Sequence, residues 1–194
     1  LHEQLKGIAF QAHQYRWSVI GHESDIQAWT LADLKQYHKT YYAPNNGVLV
    51  VSGAVSVDEV KKLAAKYIEP IPAQQAPAKV RTVEPVQTGE RRTYVQKASV
   101  TAPTILLGYH TPASSHADYY ALDLLASILA QGESSRLFKG LVDKELALEV
   151  YAEQPQSFDP NLFYVYANAA SGVSADKLEQ ALIVEVNRIA SNGG

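Results

Sequence analysis

The sequence predicts an α+β fold of two related units, the first truncated at its N-terminus, and three observations predict it. Stretches with helical periodicity alternate with β-branched runs along the chain. The strand, turn and helix of LVVSGAVSVDEVKKLAAKYI resemble those of VYANAASGVSADKLEQALIVEV, with VSVDEV at 55–60 matching VSADKL at 173–178. Between the copies, from Pro70 to about Gly89, Pro70, Pro72, Pro77 and Pro85 interrupt a stretch without apolar periodicity. Proline fixes φ and removes a backbone donor, so this stretch is expected to be an extended linker. Chance likeness of two strand-to-helix junctions is the alternative to duplication.

The elements follow in order. In LHEQLKGIAFQAHQ, residues Leu5, Ile8, Ala9 and Ala12 share one helical face, and an irregular stretch, QYRWSVIGHESDIQAW, comes next. TLADLKQYHKTYY is a helix opened by Thr30 and Asp33 in a capping-box arrangement, with Leu31, Leu34, Tyr37, His38 and Tyr41 on one face. Ala43-Pro44-Asn45-Asn46-Gly47 supplies turn chemistry, and GVLVVSGAV (47–55) is expected to be a buried strand. Ser56 with Glu59 caps the helix SVDEVKKLAAKYI. After the proline-rich stretch, RRTYVQK and APTILLGYHTP are predicted strands, and Ser115 with Asp118 is expected to start the helix HADYYALDLLASILAQ. Gly132 ends that helix, and SSRLFKGLVDKE forms a shorter one capped by Ser134 or Ser135. LALEVYAEQ and NLFYVYANAA are an antiparallel pair around an SFDP turn, and Ser174 caps a last helix finished by Asn192-Gly193-Gly194.

At 194 residues and 46% hydrophobic content the chain can bury a sizeable core. Its 17 basic and 20 acidic residues give a net charge of −3, and no sequence window concentrates Lys and Arg, so nucleic acid is not expected as a partner. The apolar run Val48–Val51 is too short for a membrane segment, and LHEQLKGIAF is not signal-like. Absence of cysteine excludes disulfides and thiolate chemistry while leaving the compartment open, with periplasmic or secreted ahead of cytoplasmic. With no Met and a start on Leu1, the chain is expected to be a piece of a longer protein.

Self-sufficient catalysis is not expected. The histidines His2, His13, His22, His38, His110 and His116 form neither HExxH nor HxxEH, so surface or capping roles outweigh metal binding. Gly132, Ser134 and Ser135 lack the second glycine and the strand-to-helix context of a nucleophile elbow. No glycine-rich phosphate loop is present, and Asp118, Asp123, Asp143 and Glu145 fall on expected helix surfaces.

Several longer runs carry a family resemblance. AFQAHQYRWSVIG followed by TLADLKQYHKTYYAPNNGVLVVSGAVSVDEVKKLAAKYIEPIP resembles the second half of the N-terminal domain of pitrilysin/insulinase zinc peptidases, the group that includes mitochondrial processing peptidase. ALDLLASILAQGESSRLFKGLVDKELALEVYAEQPQSFDPNLFYVYANAASGVS resembles that family's next domain. The resemblance implies residues 1–72 as the C-terminal half of the zinc-peptidase domain, 73–89 as linker, and 90–194 as a second, non-catalytic domain whose C-terminus is left open. In the family an HxxEH helix and a later Glu hold the zinc, and the motif's Glu is the general base. Glu3 falls downstream of that later ligand, so the resemblance implies zinc in the parent protein and none in this chain. Some members also carry an Arg/Tyr pair for substrate in a segment like LREKxGLxY. LVDKELALEVY places Val142 at the Arg position and Leu148 or Glu149 at the Tyr position, so the pair would have to come from a partner chain.

The resemblance thus implies a piece of a bacterial-type zinc endopeptidase that lines a peptide-binding chamber, captures extended peptides at a sheet edge, and is itself inactive. The alternative is a non-catalytic assembly subunit of the same family. A third possibility, an unrelated small α+β ligand-binding domain, requires the two units to differ in topology.

Overall fold

Strand β3 (Asn161–Ala169) alternates between two interiors, and that alternation organises the larger part of the molecule. Phe163, Val165, Ala167 and Ala169 enter one apolar cluster, while Leu162 and Tyr164 enter another on the opposite face. A strand buried on both faces belongs in the middle of its sheet, and β3 lies between β1 (Thr104–Thr111) and β2 (Ala147–Glu153), antiparallel to both. The computed structural model describes residues 1–192 and divides into two units. One takes Leu1–Trp17 together with the chain from Val83 onward, and the other is Ser18–Thr82. This division does not coincide with 1–72 and 90–194.

In the first unit, α5 (Tyr119–Ala130), the turn Phe138–Val142 and α6 (Ala175–Asn192) cover one face of the sheet. Leu129, Leu137, Leu141, Leu178 and Leu182 are each at most 1% exposed, and burying a leucine is worth about 1.5–3 kcal/mol. The other face receives α1 (His2–Ala9) and Phe10, packed on Leu162 and Tyr164. Gly108 makes this approach possible, because a Cβ there would stand 3.0 Å from Leu5 Cδ2 and 3.3 Å from Leu162 Cδ1. Helix α1 stops at Ala9, short of the expected face through Ala12. The amides of Gln11, Ala12 and His13 donate instead to the Glu84 carboxylate at 2.7, 2.9 and 2.8 Å. Arg91 donates to the Ile8 and Ala9 carbonyls at the end of α1, and Arg92 pairs with Glu179 at 2.6 Å and with Glu90.

Other expectations need correction in this unit. RRTYVQK is not a strand, since its two arginines make the contacts just described and Tyr94 is exposed. Ser115 does not cap α5; the N-cap is Asp118, whose amide donates to His116 Nδ1 at 3.2 Å. The helix expected over 134–145 is mostly a π-helical turn, with Asp143 N–H donating to Phe138 O at 3.0 Å and Leu146 N–H to Leu141 O at 2.8 Å. The wide turn puts Leu137 and Leu141 in the core and sets Gly140 against Glu185, where a Cβ would meet the carboxylate at 2.8 Å. Ser135 Oγ is buried with no hydrogen-bond partner among the described residues, so it does not cap the turn. Ser174 does cap α6, accepting from Lys177 N–H at 3.3 Å. The helix end assigned to Gly193 and Gly194 lies outside the described residues.

The second unit contains α2 (Glu23–Ala28), which the sequence left irregular, α3 (Leu31–Tyr41) and α4 (Val57–Tyr67). Thr30 and Asp33 form the expected capping box, and Ser56 Oγ accepts from Glu59 N–H at 3.2 Å. Asn45, in the turn Pro44–Asn46, binds the Gln74 backbone through both side-chain atoms, at 2.9 and 3.0 Å. The strand expected over 47–55 is absent: among the described residues nothing pairs with it, and Val48 and Val50 are 92% and 82% exposed. A strand needs a neighbour for its amides and a surface for its side chains. Ala43 is the one buried residue among those described here, and the apolar faces of α3 and α4 are uncovered. Of the two matching strand-to-helix junctions, therefore, only the second shows its strand.

Candidate functional site

A groove of about 260 Å³ runs beside β2, one of the two edge strands of the sheet. Its apolar lining comes from Ala130 at the end of α5, Phe138 and Val142 on the π-helical turn, and Leu148 and Val150 on β2. Glu133 and Glu149 supply two carboxylates. Gly132, at φ +78°, turns the chain out of α5 in a conformation that L side chains rarely adopt.

The backbone explains how consecutive residues reach one groove. Ala147 pairs with Ala169 and Glu149 with Asn168, which leaves Leu148 as the extra residue of a β-bulge. In a regular strand Leu148 and Glu149 would point to opposite faces, but both line the groove here. Leu148 is two-thirds exposed. Just before β2, Glu145 occupies the left-handed region at φ +55° and closes the turn by donating its N–H to Val142 O at 2.9 Å.

The structure thus brings Val142, Leu148 and Glu149, the positions singled out from sequence, to a single surface. It adds Ala130, Gly132, Glu133, Phe138 and Val150, which sequence reasoning missed. Of these, Gly132 carried a signal as a helix terminator, whereas the bulge left none. Farther along β2, burial and then a hydrogen bond to Glu153 raise the Tyr151 phenol above its ordinary value. On β3, burial followed by the Glu153 charge pushes Tyr164 up to about 12. Both phenols are neutral donors at physiological pH.

No nucleophile and base are paired in the groove. It offers apolar contact, two carboxylates and the backbone of an edge strand. The histidines are dispersed. His13 is buried, 3.5 Å from Asp159, and His110 meets the Phe10 ring edge-on at 5.3 Å. His2 lies against Tyr164, His38 stacks on Tyr42, and His116 sits 3.6 Å from Asp118. Among the described residues no three His, Asp or Glu side chains converge on a point where a metal ion could sit. The described residues therefore do not fit a zinc centre.

Residues 28–193 match the family described as the peptidase M16 inactive domain. The zinc protease PqqE of Helicobacter pylori is 35% identical over 184 residues, covering 93% of this chain and 41% of that protein. The crystal structure of a protease from Helicobacter pylori superposes with a TM-score of 0.91 at 32% identity, over 100% of this chain and 48% of that one. The peptidase M16 inactive domain from Pseudomonas fluorescens superposes at 0.80 with 20% identity, over 99% of this chain and 46% of that one, a likeness of fold. The chain spans about two fifths of the length of the curated relatives it matches.

Proposed function

This chain belongs to the peptidase M16 family, within the part described as its inactive domain, and from that premise we propose that it is a non-catalytic, peptide-binding portion of a zinc endopeptidase. The observation that carries the reading is the groove along β2, where an edge strand, an apolar floor and two carboxylates stand together without a nucleophile or a metal cluster. An extended peptide would add to β2 as a further strand, with backbone hydrogen bonds giving affinity for many sequences and the groove beside Leu148 taking one side chain. Zinc and its general base would come from elsewhere in the parent protein.

The finer organisation belongs to the same proposal. Residues 1–72 would be the latter half of a zinc-peptidase domain, 73–89 its linker and 90–194 the second domain. The uncovered apolar residues of α3, α4 and 48–51 support this, because half a domain leaves such faces without a partner. Val142 and Leu148 offer neither a guanidinium nor a phenol to a substrate backbone, so an Arg/Tyr pair would come from another chain.

The test is to titrate the protein with an unstructured ten-residue peptide and follow backbone amide resonances. The reading expects shifts at 148–151 and loss of binding when alternate peptide nitrogens are methylated. Undiminished binding of the methylated peptide would exclude strand addition.

A further inference from the structure

The sequence shows no run of basic residues, yet folding gathers four. Arg136, Lys139 and Lys144, from the π-helical turn and its flanks, line a depression of about 350 Å³ with Arg188 of α6. Gly140 and Glu185 also line it. Glu185 is 8% exposed and lies against the bare face of Gly140, its carboxylate accepting from Arg188 at 3.0 Å. With Arg188 paired to Glu185, the exposed Lys139 and Lys144 make this a local concentration of positive charge in a chain whose net charge is −3.

We propose that this depression binds an acidic peptide segment, its carboxylates meeting the cationic rim above Glu185. It lies apart from the β2 groove, with which it shares no lining residue, and the inference does not depend on how that groove is used. The chemistry favours peptide carboxylates over a nucleic-acid backbone. A polyanion with a charge every few ångströms needs a longer basic stripe, and the depression has no aromatic side chain on which a base could stack. Glu185 holds Arg188 in place and repels a second anion from the floor, so the ligand's carboxylates meet Lys139 and Lys144 at the rim. These are mobile ammonium groups that adapt to spaced carboxylates better than to one compact ion.

The experiment uses the full 194-residue chain and a fluorescein-labelled hexaglutamate, with hexaglutamine and hexalysine as controls, read by anisotropy at low and physiological salt. Hexaglutamate alone should bind, more weakly as salt rises, because exposed charges are screened over about 8–10 Å. The paired substitution Lys139→Gln, Lys144→Gln should weaken binding about ten-fold while leaving the circular dichroism unchanged, consistent with two exposed charge contacts. Binding unchanged in the double variant, equal binding of hexaglutamine, or full displacement by an equimolar amount of inorganic phosphate would each overturn the proposal.

Discussion

The carboxylate of Glu84 accepts the backbone N–H of His13 at 2.8 Å and gathers those of Gln11 and Ala12 around the same two oxygens. A side chain more than seventy residues away thus ends α1 and holds it on the sheet. Replacing Glu84 with Ala orphans three amides while leaving Phe10 in place. Charge-assisted hydrogen bonds contribute about 1.5–3 kcal/mol in protected settings, and for a carboxylate this accessible a loss of about 1–2 kcal/mol is expected. Urea denaturation checks it, and amide exchange should quicken first at residues 11–13.

The same contact predicts an acid limb. Partial burial pushes the Glu84 carboxyl up, but the N–H groups of Gln11, His13 and Ala12 outweigh it and, aided by the nearby His110, hold it below its ordinary value of 4.5. A carboxyl depressed in the folded state stabilises the fold above its unfolded pKa, and that contribution disappears as pH falls through the folded value. Stability measured from pH 7 downward should therefore fall below about pH 4.5 less steeply in Glu84→Gln than in the parent. Identical slopes would remove Glu84 from the account.

Glu145 sits at φ +55° with no glycine to relieve it. Left-handed backbone costs an ordinary residue about 1 kcal/mol or more, and glycine returns part of that gain as chain entropy. Glu145→Gly should stabilise the protein by about 0.5–1 kcal/mol, raising the urea midpoint without changing the slope.

Gly140 is the reverse case. Alanine there would drive its Cβ to within 2.8 Å of the buried Glu185 carboxylate, so either the π-helical turn or the Glu185–Arg188 pair must shift. Crowding of this kind costs about 1–3 kcal/mol, and Gly140→Ala should lower the thermal midpoint by several degrees. A neutral result would mean that Glu185 moves freely.

Leu148 separates binding from folding. It is two-thirds exposed on its bulge, so Leu148→Ala should change stability by less than about 0.5 kcal/mol. The peptide in the β2 titration should bind several-fold more weakly. Calorimetry on the purified variant reads both quantities.

What the sequence made legible was local. Thr30 with Asp33 and Ser56 with Glu59 announced their helices because capping needs only residues three apart. The aromatic and β-branched run NLFYVYANA announced a strand, and its burial on both faces comes from α5 and α6 on one side and α1 on the other. Failures came where the partner was distant or missing. GVLVVSGAV has every β-forming feature but no neighbour to pair with, and RRTYVQK commits its arginines to α1 and α6. The packing of Gly140 of the π-helical turn against Glu185 of α6, and the register with β3 that makes the bulge at Leu148, are relations that no window of sequence contains. Val142, Leu148 and Glu149 were placed by family likeness, and only the fold brought them together with Glu133 and Phe138.

If this chain holds peptides without cutting them, an unstructured peptide incubated with it and added zinc will be recovered intact by mass spectrometry, with and without a chelator. Peptide cleavage that requires zinc and stops with chelator would contradict it.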